Sequence, residues 1–158
     1  MESKHVFKAE LNWSNLDEFL ELKKGRSIKN HTVYIQGKDP LTISAAKAFK
    51  GDPTKWNPED LLISSLMSCH MMSFLYVCSQ HQVEVLKYED DAEAILEVNA
   101  NGGGRIAKVI LRPHVTITDE SKLELVNTLH QQANALCFIA NSCSFEVIHE
   151  AECQVFKV

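Results

Sequence analysis

Polar and apolar residues alternate through residues 6–13, the two-residue period of a strand. Residues 17–24 fit either a helical turn or an insertion. Residues 32–37 (Thr-Val-Tyr-Ile-Gln-Gly) are β-rich and stop at Gly37. Gly51-Asp52-Pro53-Thr54 has the breaker content of a loop. A long helix follows. Asn57 suits the cap, Pro58 the first helical position, and Glu59 and Asp60 the positive end of the dipole. The spacing predicts a helix to about residue 80. Its apolar residues, from Leu61 and Leu66 through Met72 and Phe74 to Val77, go almost all the way round. A helix without a polar face is surrounded by protein. One chain of this size can hardly cover every side of it, so the pattern points to a partner chain.

Residues 83–98 read as one long strand with a weak point at Glu89-Asp90-Asp91. Asn99 to Gly104 form a turn, and residues 105–118 return as the other arm of a hairpin. Pro113 within that arm predicts an edge position or a bulge. A second helix is capped by Thr118 or Asp119. Its apolar residues Leu123, Val126, Leu129, Ala133 and Leu136 occupy one side. Residues 144–158 close the chain as β structure. The order β-β-α-β-β-α-β is an α+β fold, expected as a single domain over residues 1–158.

Composition narrows the class. A chain of 158 residues with 45% hydrophobic content can bury a real core. The formal net charge of −5 argues against nucleic acid or an anionic membrane as partner. Residues 1–5 lack the charged-then-apolar layout of an export signal. Serines and His70 interrupt the apolar run of the long helix, which suits a buried core helix better than a membrane span. Five cysteines without an export signal point to a reducing compartment, the cytoplasm, and the odd count leaves at least one thiol unpaired within the chain.

Cys69 lies between Ser68 and His70, unusual polar company in the middle of an apolar helix, and Cys137 ends the second helix. A buried cysteine is ordinarily a small hydrophobe, and apolar surroundings make it inert. A reactive thiolate needs a cation or hydrogen-bond donors, and Lys47, Lys50 and Lys55 sit just before the helix. Cys78, nine residues after Cys69, falls on the opposite helix face. Cys78, Cys143 and Cys153 read as packing. His70 reads as a base beside Cys69 or, more simply, as a core or interface histidine, because adjacent helical residues diverge. His130 shares a helix face with Cys137. A zinc site from Cys69, His70, Cys137 and His130 lacks any close ligand pair and is disfavoured. Glu59, ten residues before Cys69, stands about 15 Å away along a helix. It is either a first-turn acid or, given a bend or a second subunit, part of a thiol site.

These residues resemble the OsmC/Ohr family of thiol peroxidases. The similarity is carried by residues 49–62 (Phe-Lys-Gly-Asp-Pro-Thr-Lys-Trp-Asn-Pro-Glu-Asp-Leu-Leu), Ser68-Cys69-His70-Met71, residues 88–93, Leu111-Arg112-Pro113, and Cys137-Phe138-Ile139-Ala140-Asn141-Ser142. The resemblance implies an intertwined homodimer, with two central helices packed on antiparallel sheet and sites at the subunit interface. It implies Cys69 as peroxidatic cysteine, Cys137 as resolving cysteine and Glu59 as an organising acid. The family arginine has no counterpart here; Lys50 stands in the pre-helix loop, with Lys47 and Arg26 as alternatives. A lysine keeps the charge but loses the planar fork. The activity implied is reduction of organic hydroperoxides, in oxidative-stress defence, by an external dithiol and without a bound metal, flavin or haem. Met71, Met72, Phe74 and Phe138 would favour an apolar peroxide tail. A cysteine hydrolase and a dimeric scaffold for a hydrophobic ligand are the rival readings.

Overall fold

The computed structural model describes residues 3–14, 16 and 29–157. The ambiguous stretch 17–24 and Arg26 lie outside them. The chain divides into two compact units, Met1–Leu61 and Leu62–Val158.

The first unit holds an antiparallel three-stranded sheet of β1 (Glu10–Asn12), β2 (His31–Tyr34) and β3 (Leu41–Ile43). Strand β1 is shorter than the alternation predicts. Its partner β2 is brief, and pairing runs only from Glu10 against Tyr34 to Asn12 against Thr32. A 3-10 turn at Lys47–Phe49 is closed by Lys50 in the left-handed region, with φ 59°. Gly51 follows because a Cβ there would stand 1.7 Å from the Ala45 carbonyl oxygen. The loop then prepares the start of helix α1 (Pro58–Gln80). The Asp60 backbone N–H donates to Asn57 Oδ1 at 2.8 Å, and the Asn57 amide donates to Asp60 Oδ2 at 2.7 Å. The cap, the proline and the end at Gln80 are as the sequence predicts.

The second unit holds the rest of α1, two mixed sheets and helices α2 (Leu123–Leu136) and α3 (Phe138–Asn141). The predicted long strand is two strands, β4 (Val85–Asp90) and β5 (Glu93–Val98), in different sheets. Its return arm likewise divides into β6 (Gly104–Leu111) and β7 (Pro113–Ile117). The last segment divides into β8 (Glu146–His149) and β9 (Glu152–Val155). One sheet has the order β4-β7-β9, the other β5-β6-β8. The antiparallel pairing expected for the hairpin holds for β4 with β7 and β5 with β6, while β8 and β9 join in parallel. Pro113 is corrected: it opens a central strand, not an edge, because the chain changes sheets just before it. The first residue of a strand tolerates a missing donor.

Arg112 staples the places where the chain changes sheets. Its Nε donates to Glu150 at 2.9 Å, its Nη2 to Glu93 at 3.1 Å, and its backbone N–H to Asp90 Oδ1 at 2.8 Å. Each partner flanks one of the three crossings.

Helix α1 passes two apolar clusters. Leu66 meets Val109 and Leu111 of β6 in one. Phe74, Val77 and Cys78 meet Val115, Ile117, Val126, Leu129 and Ala133 in the other. The buried positions 66, 70, 74, 77 and 78 form a single stripe. Met72, Leu75 and Tyr76 remain exposed, so the apolar circumference is only partly covered within the chain. Leu66→Ala should cost about 3 kcal/mol by urea unfolding, because it opens a cavity in a fully buried site. A loss under about 1 kcal/mol would mean that the contact with β6 is not structural.

Candidate active site

Cys69 lies on the α1 stripe that faces away from the core clusters. With Met72, Ser73 and Tyr76, at helical spacing, it lines an open cleft of about 390 Å³ closed on the other side by Leu136 and Phe138. The lining is apolar apart from Ser73, the Tyr76 hydroxyl and the thiol. Phe138 is 81% exposed and Met72 57%. A larger hollow of about 780 Å³ lies beside Leu86, Thr116 and Phe156 and carries no thiol.

Cys137 occupies the break between α2 and α3, in extended conformation with ψ 107°. It is fully buried. Its sulfur accepts from the Ala140 N–H at 3.4 Å, which starts the short α3 turn. Burial, and then a hydrogen bond to Cys69, push the Cys137 thiol up from its ordinary value. Cys137 is thus a thiol held protonated by burial, and its neighbour Cys69 is the one that faces the cleft. The two sulfurs picked from the sequence are electrostatic neighbours. Among the other thiols, burial and then the neighbouring Cys153 push Cys78 up to about 11, and burial raises Cys143 and Cys153, but none of the three lines the cleft.

Glu59 and Lys50 belong to the first unit, the thiols to the second. Glu59 Oε2 is buried without a hydrogen-bond partner. It lines a hollow of about 300 Å³ together with Lys29, His31, Ser44 and Phe49. Lys29 donates from Nζ to the Phe49 carbonyl. Lys50 is exposed at the end of the 3-10 turn. Lys29 is a cation that sequence reasoning missed, since it lies far from the helix start in the chain.

A second omission is a cluster of three histidines. His70 Nε2 and His130 Nδ1 are 3.0 Å apart, one donating and the other accepting. The His149 ring lies 4.3 Å from the His70 ring, and His130 stacks on Phe74 at 4.1 Å. His70 is 1% exposed and His130 2%. His70 therefore turns into the core, as the simpler reading expects. Burial, followed by the neighbouring imidazoles, lowers His70 to about 3 and His130 to about 4, and burial lowers His149. The imidazole nitrogens of the disfavoured zinc set are partly spent on each other. The helical spacing does hold the signal: His70 lies on the stripe of Leu66 and Phe74, and His130 on that of Val126 and Ala133.

The chain is thus α+β, with a buried thiol next to one that lines an apolar cleft. Residues 51–152 match the family model described as OsmC-like protein, and the chain belongs to that family. It is similar to an OsmC-like protein of unknown function from Vibrio cholerae, at 29% identity, TM-score 0.80, covering 94% of this chain and 100% of that one. Two organic hydroperoxide resistance proteins share the fold. One, from Elizabethkingia anophelis, is 15% identical with TM-score 0.69, covering 99% of this chain and 100% of that one. The other, from Legionella pneumophila, is 16% identical with TM-score 0.69, covering 98% and 100%. No curated protein matches this chain.

The histidines make stability depend on pH. Their folded values lie below the unfolded value of 6.5, so the unfolded chain takes up protons first as pH falls. Their contribution is complete above that value and is lost progressively down to about 4 and 3. Between pH 7 and 5, His70 and His130 should each remove about 2 kcal/mol in urea unfolding. Equal stability at the two pH values would contradict the cluster's burial.

Proposed function

We propose that this protein is a thiol-dependent peroxidase that reduces organic hydroperoxides in oxidative-stress defence. Membership of the OsmC-like family supports a peroxide-related role. The observation that carries the finer reading is an apolar cleft lined by Cys69, with the buried Cys137 as its neighbour.

In this mechanism the Cys69 thiolate attacks the distal oxygen of the hydroperoxide. The O–O bond breaks, the alkoxide leaves and is protonated to the alcohol, and Cys69 becomes a sulfenic acid. Cys137 then attacks that sulfur. Its proton departs with the sulfenic hydroxyl as water, and a Cys69–Cys137 disulfide remains. An external dithiol restores both thiols by exchange. No metal, flavin or haem takes part in this scheme. Met72, Tyr76, Leu136 and Phe138 would receive the organic tail.

Glu59 and Lys50 are proposed to organise the thiolate, with Lys29 as the alternative cation because it lines the hollow beside Glu59. A homodimer is proposed because large apolar side chains around the cleft are exposed in the single chain. A second subunit would cover them. The hydrolase reading is weakened by His70, whose Nε2 is engaged with His130 in the core. It is not free to act as the base that acyl chemistry requires.

With excess dithiothreitol as reductant, wild-type protein should consume cumene hydroperoxide faster than hydrogen peroxide. Cys69→Ser should abolish turnover, and Cys137→Ser, given one equivalent of peroxide without reductant, should stop at the Cys69 sulfenic acid with no disulfide formed. Faster use of hydrogen peroxide would refute the apolar tail preference. Undiminished turnover by Cys69→Ser would refute the peroxidase reading.

A further inference from the structure

We propose that the hydrogen bond between His70 Nε2 and His130 Nδ1, backed by the His149 ring, is a positioning strut that sets how closely Cys69 and Cys137 approach. The inference rests on the thiol-pair reading above, but not on which oxidant the pair meets.

The strut and the thiol pair belong to the same two chain segments. His70 follows Cys69 directly on α1. His130 lies on α2, seven residues before Cys137, the residue that caps the end of that helix. Within α1 and within α2 the backbone is rigid. A displacement of one helix along the other therefore moves the imidazoles and the sulfurs together. Contacts between apolar side chains such as Phe74 and Leu129 tolerate sliding. A 3.0 Å nitrogen–nitrogen bond does not, because it weakens steeply with distance and angle.

The cluster is also an expensive way to fill a core. His70 Nδ1, His130 Nε2 and His149 Nε2 are buried without hydrogen-bond partners. Each such atom is destabilising, and apolar residues of similar volume would avoid the cost. The electrostatic influences on His70 and His130 come from within the cluster: His149 and His130 act on His70, and His149 acts on His130. No carboxylate among the described residues figures in those influences. At neutral pH the cluster is thus an uncharged, directional link, and its specificity of geometry is what an apolar pair could not supply.

Preorganisation of the sulfurs favours the disulfide over two free thiols. Oxidised dithiothreitol can serve as the two-electron acceptor: both thiols lose a proton and an electron each, the disulfide forms, and dithiothreitol is reduced. Equilibrium against mixtures of the oxidised and reduced reagent gives the effective concentration of one thiol at the other, relative to that within dithiothreitol.

His130→Phe keeps a ring against Phe74 but deletes Nδ1, whereas His130→Asn keeps a polar atom near the Nδ1 position. The effective concentration should fall on the order of tenfold in His130→Phe and largely recover in His130→Asn. His70→Phe and His70→Gln pose the same question from α1, and decide it should His130→Phe fail to fold. A phenylalanine variant equal to wild type would overturn the strut. So would an equal fall in the phenylalanine and amide variants, which is the signature of packing alone. A wild type that forms no Cys69–Cys137 bridge would overturn both the strut and the dithiol mechanism. A normal bridge with no peroxide turnover would remove the peroxidase reading and leave the strut standing.

Discussion

The pairing of a buried thiol with a neighbouring one that faces a cleft is the arrangement on which the rest depends. Cys137 is closed off from water at the break between α2 and α3, and it keeps its proton there because burial disfavours the thiolate. Cys69 faces the apolar cleft from the middle of α1. Most of the second unit can be understood as the frame that holds these two sulfurs together. The Leu66 contact with β6 and the Phe74–Leu129 cluster fix α1 on either side of Cys69. The Arg112 staple fixes the sheets against which α1 and α2 pack.

The same frame accounts for the odd polarity of the core. A helix pair packed only by leucine and phenylalanine would be stable without a unique register. The imidazoles introduce direction at the cost of desolvated nitrogens. That trade is familiar at sites where geometry matters more than stability, and it is consistent with the pH dependence expected of three neutral buried rings.

Much of this was legible in the sequence. The cap at Asn57, Pro58 at the first turn and the end near Gln80 are local features, and local rules found them. The two sulfurs were legible because each breaks an otherwise apolar or one-sided helix. The division of the hairpin was not. The acidic run Glu89-Asp90-Asp91 hinted at a break, but the change of sheet depends on Arg112 meeting Glu93 and Glu150, partners distant in the chain. Pro113 misled for the same reason, since an edge position is the local expectation and the sheet crossing is a tertiary one. The histidine cluster needed three segments to meet, and only two of its members sit on helical stripes where spacing could suggest them. Lys29 was invisible because nothing near it in the chain announces chemistry. Glu59, by contrast, drew attention from its place in the first turn, and its buried, unpartnered oxygen is a feature that no dipole argument predicts.

Family membership and fold supply the peroxide context, and the thiol geometry supplies the proposed chemistry. The most direct test is peptide mapping by mass spectrometry after one equivalent of cumene hydroperoxide is added to the fully reduced protein. The account predicts a single linked pair joining the Cys69 and Cys137 peptides, lighter by the two thiol hydrogens, with Cys78, Cys143 and Cys153 still free. Recovery of Cys69 and Cys137 as unmodified thiols, or of Cys69 oxidised while Cys137 remains untouched, would contradict it.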